Sequence, residues 1–153
     1  MRPISRQIAI EAAPERVFSV VMDLDRYPEW NHFTPRITLA TRDVQVGAEL
    51  DLDCQMTERQ LLRDEREVIL AVDRVAWRLC MGTSRLRGRP GITSERWQVC
   101  EPLEGGRTLF KNWERFTGPL SPLVWVLYAG RLGRAFERYC ADLKARVEGI
   151  PRG

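Results

Sequence analysis

The chain has 153 residues, enough for one domain with a substantial core and too few for two of ordinary size. Hydrophobic residues make up 44% and charged residues 29%, a balance that argues against disorder. The net charge of +3 is too small to indicate nucleic-acid binding, and no apolar run reaches the roughly 18 residues of a membrane-spanning helix. With no signal-peptide pattern, we expect one cytoplasmic domain over residues 1–153, without nucleic-acid partners or integral membrane association.

Metal and cofactor motifs are not found in the sequence. The chain has one histidine and no CxxC pair, so a zinc site is not expected, and no P-loop or GxGxxG pattern indicates a nucleotide. We therefore predict no metal and no cofactor. The cysteines lie far apart in strand-like or helix-like text and are predicted to be small core residues in a reducing compartment; they are Cys54, Cys80, Cys100 and Cys140.

The N-terminal elements are a strand and two short helices. Alternating isoleucines predict a first strand over residues 3–12. A helix is predicted to begin at Pro14, because proline suits the first helical position, and to end near Met22. A second helical turn is predicted over residues 26–30, with Asp25 as its cap.

The middle of the chain predicts antiparallel strands, because apolar and polar residues alternate with a period of two. In the first long strand, the inner residues are predicted to be Leu50, Leu52, Cys54 and Met56. In the next two strands, they are predicted to be Val68, Leu70 and Val72, and then Val75, Trp77, Leu79 and Met81. The strands predicted after the first cover residues 36–41, 50–56, 65–72, 75–81, 92–101 and 108–117.

A long helix is predicted to end the chain, from Ser121 as N-cap and Pro122 at the first helical position to about Glu148. One apolar stripe recurs at three- and four-residue steps and consists of Leu132, Phe136, Tyr139, Leu143 and Val147. The first half of the helix is apolar on more than one side. It must therefore be covered on several sides or face a pocket.

The last two strands are predicted to carry acidic residues on the inner face of the sheet. If the turn is centred between Glu104 and Gly105, Trp97 faces Asn112 and Glu95 faces Glu114. Directly opposed Cβ atoms lie about 4.5–5.5 Å apart, so the pKa of one carboxyl should rise unless an arginine comes between them. These groups would orient a ligand or transfer a proton; alternatively, the glutamates bond to the backbone or face water.

Two segments of the chain resemble a known superfamily. In AAPERVFSVVMDLDRYPEWNHFTPRI, the matching residues are Ala13, Pro14, Val17, Phe18, Asp25, Tyr27, Pro28 and Trp30. GGRT at residues 105–108 and ERFTG at residues 114–118, followed by the long helix, form the second match. Together they resemble the START-like or SRPBCC superfamily, also called polyketide cyclase/dehydrase-like.

The resemblance implies an α+β helix-grip fold, in which a curved antiparallel sheet of about seven strands wraps around the long C-terminal helix. Two short helices after the first strand would close one end. The superfamily hosts lipid carriers, hormone receptors, cyclases and chaperone-associated domains, so the fold does not decide the function.

The predicted ligand-binding residues border the space between the sheet and the helix. They are Trp30, Phe33, Met56, Trp77, Trp97, Asn112, Glu114, Leu123, Leu127 and Tyr128. Most of the aromatic residues among them would fit a solid core equally well. Glu95, Glu114 and His32 are the catalytic candidates, and His32 has the alternative of a surface or capping role in its proline-rich loop.

Two features are predicted to face outward. Arg85, Arg87 and Arg89 form the densest basic segment, which would meet an anionic ligand, a carrier protein or a membrane surface, or would simply be a solvated hairpin tip. Trp113 is a candidate for a homodimer contact.

Three functions remain open. The first, which we favour, is the binding of a hydrophobic small molecule such as a lipid, an isoprenoid or an aromatic polyketide-like compound. The second is a cyclase, aromatase or dehydratase that uses polar residues in the same pocket. The third is a protein-interaction domain with a filled core.

Overall fold

The computed structural model describes residues 2–83 and 90–149 and confirms the predicted α+β helix-grip fold. Within these ranges, seven antiparallel strands form one curved sheet in the order β1-β7-β6-β5-β4-β3-β2. The strands are β1 (Ile4–Ile10), β2 (Arg36–Leu39), β3 (Glu49–Thr57), β4 (Gln60–Asp73), β5 (Arg78–Thr83), β6 (Thr93–Leu103) and β7 (Arg107–Thr117). The helices are α1 (Pro14–Met22), α2 (Tyr27–Trp30) and α3 (Ser121–Glu148).

The second half of α3 packs on the inner face of the sheet. The five predicted stripe residues, Leu132, Phe136, Tyr139, Leu143 and Val147, are all buried. Gly149 ends the helix in the left-handed conformation (φ 67°) that glycine adopts without steric cost. The prediction of Ser121 as N-cap is wrong, because Leu120 occupies that position, and no side chain of the described residues caps the helix.

The two short helices close one end of the grip. A 3-10 turn at Leu24–Arg26 precedes α2, so Arg26, and not Asp25, occupies the N-cap of that helix. Tyr27 and Trp30 of α2 pack edge to face with ring centroids 5.2 Å apart, and Trp30 lies 5.8 Å from Tyr139 of α3. Aromatic contacts therefore join these helices to the core.

The register of β6 and β7 differs by one residue from the prediction. A three-residue loop, Glu104–Gly106, joins the strands, and positive φ angles of 74° and 70° at Gly105 and Gly106 allow this tight path. Side chains along a strand alternate between the two faces of the sheet. One extra loop residue therefore moves the β6 residues that were predicted to face inward to the outer face. The prediction that Glu95 and Trp97 lie on the inner face is therefore wrong.

The inner residues of β6 are those that the prediction placed outside. Arg96 lies opposite Glu114, and Gln98 lies opposite Asn112. On the outer face, Trp97 lies opposite Trp113, and their rings stack with centroids 5.9 Å apart.

An irregularity in β4 explains a second error. Pairing with β5 shifts between Ile69 and Ala71, and this bulge leaves Leu70 41% exposed. Ile69 is buried on the inner face, and Glu67, two residues before it, shares that face. The assignment of Val68 and Leu70 as inner residues is therefore wrong.

The turn between β4 and β5 contains residues 75–77, which were assigned to a strand. Trp77 has a positive φ of 52° in this turn, and β5 begins only at Arg78. Val75 is exposed in the same turn, whereas Leu79 and Met81 are buried as predicted.

Candidate functional site

A cavity of about 470 Å³ lies between the inner face of the sheet and the first half of α3. Its walls are mainly apolar, and charged groups enter from β4, β6 and β7. The apolar and aromatic wall residues are Phe33, Leu52, Met56, Leu62, Ile92, Phe116, Val124, Tyr128 and Leu132. A cavity of this size, with a few polar groups inside, is typical of a small-molecule site.

The face of α3 that lines the cavity differs from the predicted one. Val124, Tyr128 and Leu132 recur every four residues and line it. Leu123 and Leu127, which were predicted to contact ligand, lie one position earlier and are 58% and 56% exposed. Their assignment to the pocket is therefore wrong.

Four of the predicted ligand-binding residues line this cavity: Phe33, Met56, Glu114 and Tyr128. The other aromatic candidates lie elsewhere: Trp30 packs on Tyr139 in the core, Trp77 lies in a turn and Trp97 lies on the outer face. Asn112 is fully buried and reaches the site only through its neighbour Arg96.

Arg96 is the central polar residue, and the predicted register missed it. Its side chain enters the cavity wall among three aromatic rings, with Cζ 4.8 Å from the ring centroids of Phe33 and Phe136 and 4.6 Å from that of Tyr139. Nε donates a 2.8 Å hydrogen bond to Oδ1 of Asn112. Nη2 is buried without a hydrogen-bond partner in the described part of the chain. Arg96 is 6% exposed, so this unsatisfied donor lies within the wall and not on the open surface of the cavity.

Two of the carboxyl groups that line the cavity with Arg96 have a raised pKa. Burial, together with the carboxyls of Glu114 and Glu65, raises the pKa of Glu67 to about 7, although Arg96 acts in the opposite direction. Burial also raises the pKa of Glu114, against the effects of Arg96 and a hydrogen bond from Ser94. A raised carboxyl pKa was expected beside Glu114. The neighbouring carboxyl, however, is that of Glu67 and not that of Glu95.

Hydroxyl groups lie between these two carboxyls on the inner face. Thr83 lies opposite Glu67, and its Oγ1 is 3.0 Å from Oγ of Ser94. Ser94 in turn reaches Glu114. The row Glu67, Thr83, Ser94 and Glu114 crosses four strands and could bind hydrogen-bonding atoms or exchange a proton with a ligand.

A second polar group lies behind Arg96, deeper in the core. The hydroxyl of Tyr139 donates to Oε1 of Gln98, and the hydroxyl of Tyr27 donates to the carbonyl of Val21 at 2.5 Å. Burial raises the pKa of Tyr27 to about 12, so it remains a neutral donor. This group orients the residues behind Arg96 and does not line the cavity.

The remaining catalytic candidates lie outside the cavity wall. Glu95 is on the outer face, where Oε1 lies 3.9 Å from Nη1 of Arg115. The backbone N–H of His32 donates to Oδ2 of Asp142 at 3.0 Å, and its ring Nδ1 is 3.1 Å from the same oxygen. This contact joins the loop after α2 to α3. Arg85, Arg87 and Arg89 lie outside the described residues.

The cysteines are free thiols: three are buried and Cys54 is half-buried. In the two described ranges, no group of three or more histidine, cysteine, aspartate or glutamate side chains is arranged to hold a metal ion. Nor does any helix of residues 2–83 and 90–149 combine the length and apolarity needed to cross a membrane.

Comparison with solved structures shows the same fold in several proteins. The chain is similar to the protein TTHA0849 from Thermus thermophilus, with 17% identity and a TM-score of 0.75 over 99% of this chain and 100% of the other. A START superfamily protein from Mycobacterium smegmatis has 18% identity and a TM-score of 0.70, over 97% and 99% of the two chains. The Zhui aromatase/cyclase from Streptomyces sp. R1128 has 11% identity and a TM-score of 0.74, over 99% and 96%.

Identities this low show the fold alone, and no curated protein matches the chain. The family described as "Polyketide cyclase / dehydrase and lipid transport", however, matches residues 1–148. The START-like resemblance of the sequence motifs is thereby confirmed, and the chain belongs to the polyketide cyclase/dehydrase and lipid-transport family.

Proposed function

We propose that the protein binds a hydrophobic small molecule in the cavity between the sheet and α3. The observation that carries the proposal is a cavity of about 470 Å³ whose wall combines apolar and aromatic side chains with charged and hydroxyl groups from β4 to β7. Burying an apolar ligand there would release about 25 cal/mol for each Å² removed from water, and the polar groups would orient one end of it. A lipid, an isoprenoid and an aromatic polyketide-like compound all have this amphiphilic character.

Filling part of the cavity should weaken ligand binding. Val124 lines the cavity, so we expect Val124→Trp to weaken the binding of the neutral dye Nile red at least about tenfold, which corresponds to about 1.4 kcal/mol. The matched control is Leu123→Trp, one position away on the exposed side of α3, which should change the dissociation constant less than about twofold. Fluorescence titration measures both values.

Native mass spectrometry of gently purified protein provides an independent test. A bound hydrophobic molecule should be seen in the wild-type protein and be depleted in the Val124→Trp variant. Absence of a co-purifying ligand together with no dye uptake would contradict the proposal and favour a protein-interaction domain.

A second candidate function, an aromatase/cyclase or dehydratase activity, is favoured by one specific observation. Arg96 and Glu67, whose pKa is about 7, both line the cavity, so a guanidinium and a carboxyl lie in the same wall. A donor that polarises a carbonyl and a carboxyl that titrates near neutral pH are the two components of proton transfer beside a carbonyl group. The family to which the chain belongs includes polyketide cyclases, and the structurally similar Zhui protein is an aromatase/cyclase.

Substitution of the cavity carboxyls tests this activity. With a linear poly-β-ketone thioester as substrate, we expect Glu67→Gln and Glu114→Gln to lower the rate of cyclised product formation at least about 100-fold. Glu95→Gln is the matched control on the outer face and should retain the wild-type rate. Full turnover in both cavity variants, measured by liquid chromatography with mass spectrometry, would exclude the enzymatic role of these carboxyls.

Location and assembly remain proposals. The four free thiols support a reducing compartment, and we propose the cytoplasm. The homodimer contact through Trp113 stays a prediction, and the stacking of its ring on Trp97 on the outer face supports it.

A further inference from the structure

The outward side of the first half of α3 is apolar, and we propose that the protein docks through it on the surface of a bilayer that contains anionic lipid. This apolar face consists of Leu123, Val126 and Leu127, which are 58%, 74% and 56% exposed. They occupy positions i, i+3 and i+4 and therefore lie on one side of the helix. The inference goes beyond ligand binding, because the cavity is lined by a different side of the same turns, through Val124 and Tyr128.

The apolar face forms one continuous patch. Single exposed apolar residues are common on protein surfaces, but three large ones on one helix face indicate an interaction surface. No charge interrupts the patch, because residues 118–130 contain no charged residue. Removal of these three side chains from water is therefore the main favourable contribution to docking.

The first charged residues along α3 are arginines, and they favour an anionic bilayer as the partner. Arg131 and Arg134 are exposed and follow Leu127 by four and seven residues, so they lie on its side of the helix, about 6 and about 10 Å further along the axis. Arg131 donates to Oε1 of the neutral Gln60 at 3.2 Å, and no carboxylate of the described residues pairs with either arginine. Arginine side chains extend along an apolar surface and hold their charge at the depth of the lipid phosphates.

The sign of this charge does not depend on the parts of the chain outside the described ranges. Residues 1, 84–89 and 150–153 include arginines and contain no aspartate or glutamate, so wherever they lie they add only positive charge. The first acidic residue of α3 is Glu137, about 15 Å beyond Leu127 along the helix axis. The apolar face is therefore followed by positive charge before any negative charge on this helix.

The backbone at the start of α3 is suited to an apolar medium, in which an unsatisfied N–H group is costly. The N–H groups of Leu120 and Ser121 donate to the carbonyls of Gly91 and Gly118, each at 3.0 Å. Pro122, the next residue, has no N–H group. This end of the helix can therefore approach lipid without loss of hydration at these donors.

Vesicle flotation tests the proposal. The probes are vesicles of phosphatidylcholine alone and of phosphatidylcholine with phosphatidylglycerol at a ratio of about 7:3. We expect the wild-type protein to float with the mixed vesicles and to partition at least about tenfold more weakly onto phosphatidylcholine alone. Salt at about 1 M should weaken the binding to mixed vesicles at least about tenfold, because it reduces the Debye length to about 3 Å.

Three variants identify the docking face. Val126→Glu should lower the partition coefficient on mixed vesicles at least about tenfold, because it places a charge within the apolar face. Arg134→Gln should lower it about fivefold, through the loss of one basic residue at the lipid surface. The matched control is Val75→Glu, which changes a valine that is 87% exposed in the turn between β4 and β5 and should bind like the wild type. Circular dichroism should show the wild-type fold in all three variants, because each position is exposed.

The proposal is overturned if the wild-type protein floats with neither vesicle, if it floats equally with both, or if Val126→Glu partitions like the wild type. Sedimentation velocity identifies a second copy as the alternative occupant. A wild-type dimer that Val126→Glu dissociates, without vesicle binding by either protein, would also overturn membrane docking. Nile red binding measured without vesicles is a separate readout, so loss of the docking proposal would leave the proposed ligand binding intact.

Discussion

Gly82→Ala is expected to abolish stable folding, with a loss of at least about 4 kcal/mol in the free energy of unfolding. A Cβ atom at Gly82 would lie 2.1 Å from the backbone carbonyl oxygen of Ser94 on β6 and 2.9 Å from Cδ1 of Leu70. The side chain of Leu70 can move, but the carbonyl belongs to a paired strand and cannot move without separating β5 from β6. The same separation would distort the row of hydroxyl and carboxyl groups at the cavity.

Gly130→Ala is the matched control for this prediction. A Cβ atom at Gly130 would meet only Nη1 of Arg134, at an ordinary contact distance of 3.8 Å. Alanine has the higher helix propensity, so this variant should be about 0.5–1 kcal/mol more stable than the wild type. Urea denaturation followed by circular dichroism measures both variants, and a Gly82→Ala protein of wild-type stability would contradict the close approach of β5 and β6.

Arg96→Ala is expected to reduce the free energy of unfolding by about 3–5 kcal/mol. The substitution empties the space between the rings of Phe33, Phe136 and Tyr139 and removes the donor to Oδ1 of Asn112. It also leaves the carboxyls of Glu67 and Glu114 without the positive charge that lowers their pKa values. All three effects destabilise the folded state.

Arg96→Met separates packing from charge in this prediction. Methionine fills most of the space between the rings, so at about pH 5 we expect less than half of the loss caused by alanine. Removing Arg96 raises the folded-state pKa values of Glu67 and Glu114 further above the unfolded value of about 4.5. A carboxyl whose pKa is higher in the folded than in the unfolded protein stabilises the fold when it is protonated. This contribution is complete below the pKa of the unfolded state and is lost as the pH rises through the pKa of the folded state.

The Arg96→Met variant should therefore lose stability between about pH 5 and about pH 8 more steeply than the wild type. Denaturant titrations at several pH values test this slope. Equal slopes for the two proteins would show that Arg96 does not interact with the cavity carboxyls, and an Arg96→Ala protein as stable as the wild type would show that the ring contacts contribute little.

The elements of this fold could be predicted from local patterns. Proline at the start of α1 and α3 and the apolar stripe from Leu132 to Val147 depend only on near neighbours along the chain. The same is true of the alternation in β3, where Leu50, Leu52 and Met56 are buried. Met56 and Glu114 were placed at the cavity for similar reasons, because each belongs to a strand whose inner face was recognised.

The polar part of the site could not be predicted in this way. The inward position of Arg96 and Glu67 depends on which alternate residues of their strands face the cavity. One extra residue in a loop or a bulge exchanges the inner and outer residues of a strand. A two-residue turn around Glu104 and Gly105 and the observed three-residue loop are both compatible with the glycine pair, and only the second directs Arg96 inward. The bulge between Ile69 and Ala71 likewise has no proline or glycine in the sequence to mark it.

The sequence by itself determined the strands, the two short helices and the long C-terminal helix, because residue periodicity and proline at a helix start act over a few neighbouring positions. That a curved antiparallel sheet encloses the long helix was an expectation from the family resemblance. The sequence also determined that the first half of α3 has more apolar surface than one contact can cover. The tertiary structure decided that Val124 and Tyr128 face the cavity, whereas Leu123 and Leu127 are exposed. It also decided that the polar wall consists of Glu67, Arg96 and Glu114, because strand register and helix rotation are determined by contacts between distant parts of the chain.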